Sequence, residues 1–254
     1  MDYAISIATR GRTHIVKATV EAYLKQSLKP SQILLVDNNT ESDITEFLNS
    51  EVGNLEGVEV IKATSDKLTD AEGTNTAFNQ LKDSYEVIMK ADDDLIPRPS
   101  FMSKLVKCME DDKDVKAVGG MYPTLGSTAS CFMTPDGIAI PDNNPRHIQF
   151  FHWIGENQLI KIHHLYSSFL YKTESAKMIG GYPNMYNLMR HETDFTLRLN
   201  TIGTLLINTG ALAWHYKCDG GSRILTEEEQ QIKIKQDMET FNKRMVEVGI
   251  NPSY

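Results

Sequence analysis

The chain has 254 residues, 41% of them apolar, enough for one large core or one core with a small appendage. Its formal charge of −8 argues against a general nucleic-acid surface, which needs a basic stripe to meet phosphates in bulk. Cys108, Cys131 and Cys218 are odd in number, widely spaced and without a Cys-x-x-Cys pair, which suggests neither a disulfide framework nor a zinc knuckle and suits a reducing, cytoplasmic setting.

The N-terminus opens directly into Tyr3-Ala4-Ile5-Ser6-Ile7-Ala8, too short for a signal-peptide core, and reads as a first strand. Further strands are expected at Gln32–Val36, Val58–Lys62, Glu86–Met89 and Lys116–Gly120. Val16, Val20, Tyr23 and Leu24 recur at helical spacing after the first, and Phe101, Leu105, Cys108 and Met109 after the fourth. Strand-helix-strand alternation of this kind predicts an α/β fold with a mostly parallel, doubly wound sheet.

Residues 124–157 change character, being rich in Gly, Pro, Ser, Thr and Asn with aromatics at Phe150, Phe151 and Trp153. A long irregular stretch inside a compact domain is either a binding loop or a connector, and acceptor recognition is placed here by default. Strands are then expected at Leu159–Ile162 and Ser168–Tyr171, a short helix ending at Gly180-Gly181, a helix from His191, and a final strand pair at Leu205–Ile207 and Leu212–Trp214. Thr226-Glu227-Glu228-Glu229 is a capping box that starts an amphipathic helix through Ile234, Met238, Phe241 and Met245. No apolar run reaches the roughly 20 residues that span a bilayer. The division expected is a single domain: 1–123 for nucleotide, 124–224 for acceptor and catalysis, and a C-terminal helix over 225–254 that covers the core or pairs with a second copy of the chain.

The most informative segment is Lys90-Ala91-Asp92-Asp93-Asp94-Leu95-Ile96-Pro97, which puts three carboxylates where a buried strand ends. Clustered carboxylates repel and lose hydration there unless a divalent cation or a hydrogen-bonding ligand neutralises them. A solvated turn capping the next helix is the plainer alternative. In open α/β sheets ligands bind beyond the carboxyl ends of strands, and those ends carry Thr9-Arg10-Gly11-Arg12, Asp37-Asn38-Asn39, the three aspartates and His215. The first turn lacks the Gly-x-Gly-x-x-Gly of dinucleotide enzymes, and no Walker lysine loop or Gly-x-Ser-x-Gly elbow is present.

These segments resemble, in order, the family 2 glycosyltransferases of the GT-A fold. Ile5 to Arg12, Leu34 to Asn38 and Gly73 to Asn79 resemble the family's nucleotide-binding half, and Asp92 to Pro97 its Asp-x-Asp element. Ile179-Gly180-Gly181-Tyr182-Pro183, His191 to Arg198 and Trp214-His215 resemble its acceptor and catalytic half. The resemblance implies a metal-dependent, inverting transfer of sugar from a nucleotide-diphosphate sugar (UDP-, GDP- or dTDP-linked) to a hydroxyl. A glycan or lipid-linked acceptor is the usual class, a protein or a modified DNA base the alternatives.

Carried over residue by residue, Asp37 would accept from the nucleobase, with Thr9, Arg10 and Arg12 lining the same pocket and Asp92 and Asp93 holding the ribose and the ligand edge. Asp94 and His215 would bind a divalent cation, and oxygen-plus-imidazole ligation suits Mn²⁺ better than Mg²⁺. Glu192 would be the general base, with Asp194 in reserve; Asp194 and Arg198 are also spaced for an ion pair within their helix. Lys90, His191 and Phe78 depart from the family pattern. The competing functions are a nucleotidyltransferase, which would need a glycine-rich phosphate loop that Thr9 to Thr13 does not offer, and a non-catalytic nucleotide-sugar-binding module, which would need no base.

Overall fold

The computed structural model describes residues 1–39, 41–63, 69–122, 158–216 and 225–251, with the backbone of short strands at 124–125, 131–133 and 139–141. In chain order the elements are β1 (Tyr3–Thr9), α1 (Thr13–Leu24), β2 (Gln32–Asp37), α2 (Ser42–Phe47) running into a π-helical turn (Leu48–Val52), β3 (Val58–Lys62), α3 (Asp70–Leu81), β4 (Val87–Asp92), β5 (Leu95–Pro97), α4 (Phe101–Asp111) and β6 (Val115–Met121). There follow β7 (Thr124–Leu125), β8 (Cys131–Met133), β9 (Ala139–Pro141), β10 (Leu159–Ile162), β11 (Phe169–Lys172), α5 (Thr173–Met178), α6 (His191–Asn200), β12 (Thr204–Tyr216) and α7 (Glu227–Glu247). Most of the loop-rich stretch assigned to acceptor recognition lies outside the described residues.

The main sheet runs β10-β12-β6-β11-β4-β1-β2-β3. Its first half is parallel, β1 pairing with both β2 and β4, and β2 with β3. The second half is mixed, because β11 runs antiparallel between β4 and β6, and β10 antiparallel to β12. Covered on both faces, β1 is almost continuously buried, and its side chains alternate between two cores. Tyr3, Ile5 and Ile7 pack with Val16, Val20 and Tyr23 of α1 and Phe101 and Leu105 of α4. Ala4 on the other face joins Ala77 and Phe78 of α3 and Phe195 and Leu199 of α6.

The expected strand pair at 205–207 and 212–214 is instead one strand, β12. It keeps pairing parallel to β6 through a register shift between Ile207 and Leu212. The Asn208-Thr209-Gly210 stretch that reads as a turn is absorbed as a bulge, with the Asn208 Oδ1 accepting from the Gly210 N–H at 2.9 Å. Two further arrangements aim the site. Registers Thr9↔Asp37 and Ala8↔Asp92 bring the ends of β1, β2 and β4 together. The three-residue β5 turns back against β12, pairing Leu95 with His215, while the Tyr216 N–H donates to the Asp94 carbonyl at 2.8 Å.

Candidate active site

A cavity of about 330 Å³ opens at the carboxyl ends of these strands. Thr9, Arg10, Arg12 and Asn38 line it from β1 and β2, Asp70 from the start of α3, and Lys90, Asp92, Asp93 and Asp94 from β4 and the turn after it. The far wall is Tyr166 and Ser167, Asn187 and Leu188, His191 and Glu192 at the start of α6, and His215, with Leu225 and Lys233 contributed from the C-terminal segment.

The three aspartates do three different things. Asp93 ties the β1 turn down: it accepts from Thr9 Oγ1 at 2.7 Å and Arg12 Nη1 at 2.5 Å, and its own carbonyl accepts from Thr19 Oγ1 at 2.9 Å. Burial pushes its carboxyl up to about 6, with neighbouring Asp94 adding to the rise and Arg12 and Thr9 opposing it. Asp92 is held by Lys90 Nζ at 2.7 Å and by the Ser167 hydroxyl, and its N–H donates to Ser168 Oγ at 2.9 Å. Burial raises its pKa, but the charges of Lys90 and His215 outweigh that and bring it below the usual carboxylate range. Asp94 is 1% exposed, and neither of its oxygens has a hydrogen-bond donor. Arg12 Nη1 approaches Oδ2 to 2.9 Å and His215 Nε2 approaches Oδ1 to 3.2 Å, both without hydrogen-bond alignment.

The last observation bears on a metal. A buried carboxylate with unmet acceptors is costly, and one ligand atom each from Asp92, Asp94 and His215 can lie within 4.8 Å of the others. Two carboxylates and an imidazole fit a divalent cation that accepts mixed oxygen and nitrogen ligands. A second group, Asp70, His191 and Glu192, has the same spacing. There the cation is already built in: Lys90 Nζ lies 2.6 Å from Glu192 Oε1 and 3.1 Å from Asp70 Oδ2. Lys90 is buried, and although burial favours its neutral form, Asp70, Asp92 and Glu192 together hold its pKa well above the ordinary lysine value. His191 is buried beside this cluster, its Nδ1 2.8 Å from the Tyr182 hydroxyl and its Nε2 3.4 Å from Asp70 Oδ2.

The structure therefore brings Thr9, Arg10, Arg12, Asp92, Asp93, Asp94, Glu192 and His215 around one cavity. Two residues expected there do not line it. Asp37 is buried with its acceptors occupied: Oδ1 takes the Asn39 N–H and Nδ2, and Oδ2 takes Thr45 Oγ1 at 2.7 Å and Lys62 Nζ at 2.6 Å. Asp194 is fully buried between Arg198 of its own helix at 2.5 Å, Arg244 of α7 at 2.6 Å and the Tyr186 hydroxyl at 2.7 Å. Its ion pair with Arg198 is the one the spacing predicts, and the second arginine comes from α7. Asp70, Asn187 and Lys233 are cavity residues that no motif marked.

The model of the family described as Glycosyl transferase family 2 matches residues 4–172, more than half of the chain. The chain belongs to glycosyl transferase family 2. No curated protein matches it. Among solved structures it is similar to GalNAc-T7 with UDP, GalNAc and Mn²⁺, at a TM-score of 0.67 and 12% identity over 85% of this chain and 43% of that one. It is also similar to Staphylococcus aureus TarS residues 1–349 with UDP-GlcNAc, at a TM-score of 0.67 and 12% identity over 89% of this chain and 61% of that one. At this identity the likeness establishes the GT-A fold. The chain spans less than two thirds of either neighbour's length.

Proposed function

We propose that this family 2 glycosyltransferase moves a sugar from a nucleotide-diphosphate sugar to a hydroxyl acceptor with inversion, Glu192 acting as general base. The observation that carries the reading is that Glu192 and the Asp92, Asp94 and His215 group face the same cavity, with Lys90 bridging Asp92 and Glu192. A UDP-sugar is the first donor to test, since two structures similar to this one hold UDP or UDP-GlcNAc; GDP- and dTDP-sugars follow. The acceptor class is a glycan or lipid-linked hydroxyl.

In the transfer, the acceptor O–H gives its proton to Glu192 and the oxygen forms a bond to the anomeric carbon. The bond from that carbon to the diphosphate oxygen breaks on the opposite face, and its electron pair leaves with the nucleotide. Lys90 occupies Oε1 of Glu192 and leaves Oε2 to take the proton. The same ammonium pairs with Asp92 at 2.7 Å beside the donor. Asp94 and His215, with Asp92 adjacent, would hold Mn²⁺ in preference to Mg²⁺; when bound, such a cation neutralises charge developing on the leaving diphosphate. Asp194 is not a base in this scheme, because two arginines already hold it and no substrate reaches a fully buried carboxylate.

The test uses Glu192→Gln and Asp94→Ala in a panel of sugar nucleotides with and without Mn²⁺. Glu192→Gln is expected to lose about 10²–10⁴-fold in turnover while keeping nucleotide affinity. Asp94→Ala is expected to abolish Mn²⁺-dependent thermal stabilisation by nucleotide. Turnover that survives in Glu192→Gln removes the base assignment. Stabilisation that stays equally metal-dependent in Asp94→Ala removes the ligand assignment.

A further inference from the structure

The family match ends at residue 172, yet α7, which starts more than fifty residues later, reaches the cavity. Lys233 of this helix lines the cavity. One turn further on, Asp237 is 0% exposed and makes no ion pair among the described residues. Its carboxylate accepts four N–H groups from one loop instead. Oδ1 takes the Asn187 backbone N–H at 2.8 Å and Asn187 Nδ2 at 3.1 Å, while Oδ2 takes the N–H groups of Leu188 at 2.7 Å and Met189 at 2.8 Å. Successive backbone N–H groups aimed at one carboxylate form an anion nest, and charge-assisted bonds of this kind fix a backbone more firmly than neutral ones.

The same loop forms the wall next to Glu192. Asn187 and Leu188 line the cavity, and Arg190, in a left-handed conformation at φ 71°, turns the chain into α6. Arg190 is gripped by α7 as well: its guanidinium lies 5.4 Å over the Phe241 ring and its Nε 3.1 Å from Met238 Sδ. Within α6, Asp194 takes Arg244 of α7. Every one of these ties runs from the entry of the Glu192 helix to the C-terminal helix.

We infer that Asp237 is a positioning residue for the transfer reaction, holding the Asn187–Met189 wall and the start of α6 so that an acceptor hydroxyl meets Glu192 in register. This rests on the reading of the cavity as the transfer site. The donor side, at Thr9, Arg12 and the aspartates, is built from β1 and β4 and held by its own bonds, from Thr9 and Arg12 to Asp93 and from Arg12 to Asp94. Loss of Asp237 is therefore expected to slow turnover and spare nucleotide binding.

The experiment compares the full-length wild type, Asp237→Asn and Glu192→Gln. UDP titrated in Mn²⁺ reads binding, nucleotide release from UDP-, GDP- and dTDP-sugars with water as acceptor reads turnover, and hydrogen exchange reads the loop amides. For Asp237→Asn we expect the Asn187–Met189 amides to exchange at least about tenfold faster and kcat to fall about tenfold or more, as misplacement of reacting groups predicts, with UDP affinity within about twofold. A folded Asp237→Asn with unchanged kcat overturns the inference. So does a fall in UDP affinity proportional to that in kcat, which marks a general loss of structure. If the wild type releases nucleotide from no sugar, the proposed activity fails and takes this inference with it. If Glu192→Gln matches wild type, the base assignment falls, and the register with Glu192 that Asp237 is inferred to hold falls with it. Should Asp237→Asn not fold, Asp237→Glu keeps the charge on a longer arm and is judged by the same readouts.

Discussion

At the residue scale the site is decided by which carboxylates have found cations. Lys90 serves three, Arg12 serves two, and Asp37 is matched to Lys62. Asp37 is the clearest case to titrate, because it stands apart from the proposed metal ligands. Burial raises its pKa, but Lys62, Thr45 and Asn39 outweigh this and leave it lowered. A carboxylate with a depressed folded pKa adds stability that is fully present above its unfolded value of about 3.9 and is lost as pH falls through the folded value. Asp37→Asn is therefore expected to cost about 1.5–3 kcal/mol near neutral pH, the range for hydrogen bonds to charged groups. Urea unfolding of both proteins should show that difference shrink as pH falls below the unfolded carboxylate value through the depressed native one. A difference independent of pH would mean that charge is not what Asp37 contributes. The sequence exposed Asp37 as a strand-end acid but not its partner Lys62, which is 25 residues away at the end of the neighbouring strand, and pairs with it only once the register Asp37↔Lys62 is set.

At the element scale the cavity depends on how closely α3 sits on the ends of β1 and β2. A Cβ built on Gly73 would come within 2.6 Å of Asn38 Nδ2 and 2.7 Å of Ala8 Cβ, and Asn38 Nδ2 also donates to the Thr69 carbonyl at 3.0 Å. Gly73→Ala is expected to destabilise by about 1–3 kcal/mol, as overpacking does, despite the gain in helix propensity. It should also displace Asp70 from Lys90, which a crystal structure of the variant would show directly. Stability equal to wild type would mean that α3 has room to move. Much at this level was legible: the opening strand β1, the helical spacing of α1 and α4, and the Thr226 capping box all appear as read, the last with Thr226 Oγ1 accepting from the Glu229 N–H at 3.3 Å. What was not legible required tertiary partners. The bulge in β12 looks like a turn until β6 is beside it. Asp237 interrupts the apolar stripe of α7 between Ile234 and Phe241, and an acid on a buried stripe is the one sequence signal that could have disclosed its loop partner. The choice between a core cover and a pairing surface for α7 is answered in part by its apolar face, where Phe241 and Met245 are buried against Ala71, Tyr186 and Leu197 of the same chain.

At the scale of the whole molecule the question is how a protein of net charge −8 accepts a nucleotide diphosphate. Among the described residues its cavity carries no local excess of cations: Asp70, Asp92, Asp93, Asp94 and Glu192 face Arg10, Arg12, Lys90 and Lys233. Arg12 and Lys90 are moreover committed to carboxylates at 2.5–3.1 Å. In a poorly solvated cleft like charges at close range cost several kcal/mol, so a further positive charge would favour entry of a diphosphate among these described residues. The proposed Asp94 and His215 site is where that charge would enter. UDP affinity is accordingly expected to fall at least about a hundredfold when Mn²⁺ is replaced by EDTA, a change of about 2.8 kcal/mol at about 1.4 kcal/mol per tenfold. Uridine, which brings no phosphate, should bind equally weakly in both. By linkage, saturating UDP with Mn²⁺ at about a hundred times its dissociation constant adds about 2.7 kcal/mol of stability, and at about 2–4 °C per kcal/mol for a chain of this size Tm should rise by about 5–10 °C. Calorimetric titration and a thermal melt measure the two quantities independently. UDP binding of equal strength in EDTA would show that the lysines and arginines of the cavity suffice for the diphosphate, and the electrostatic case for a cation at Asp94 would be lost.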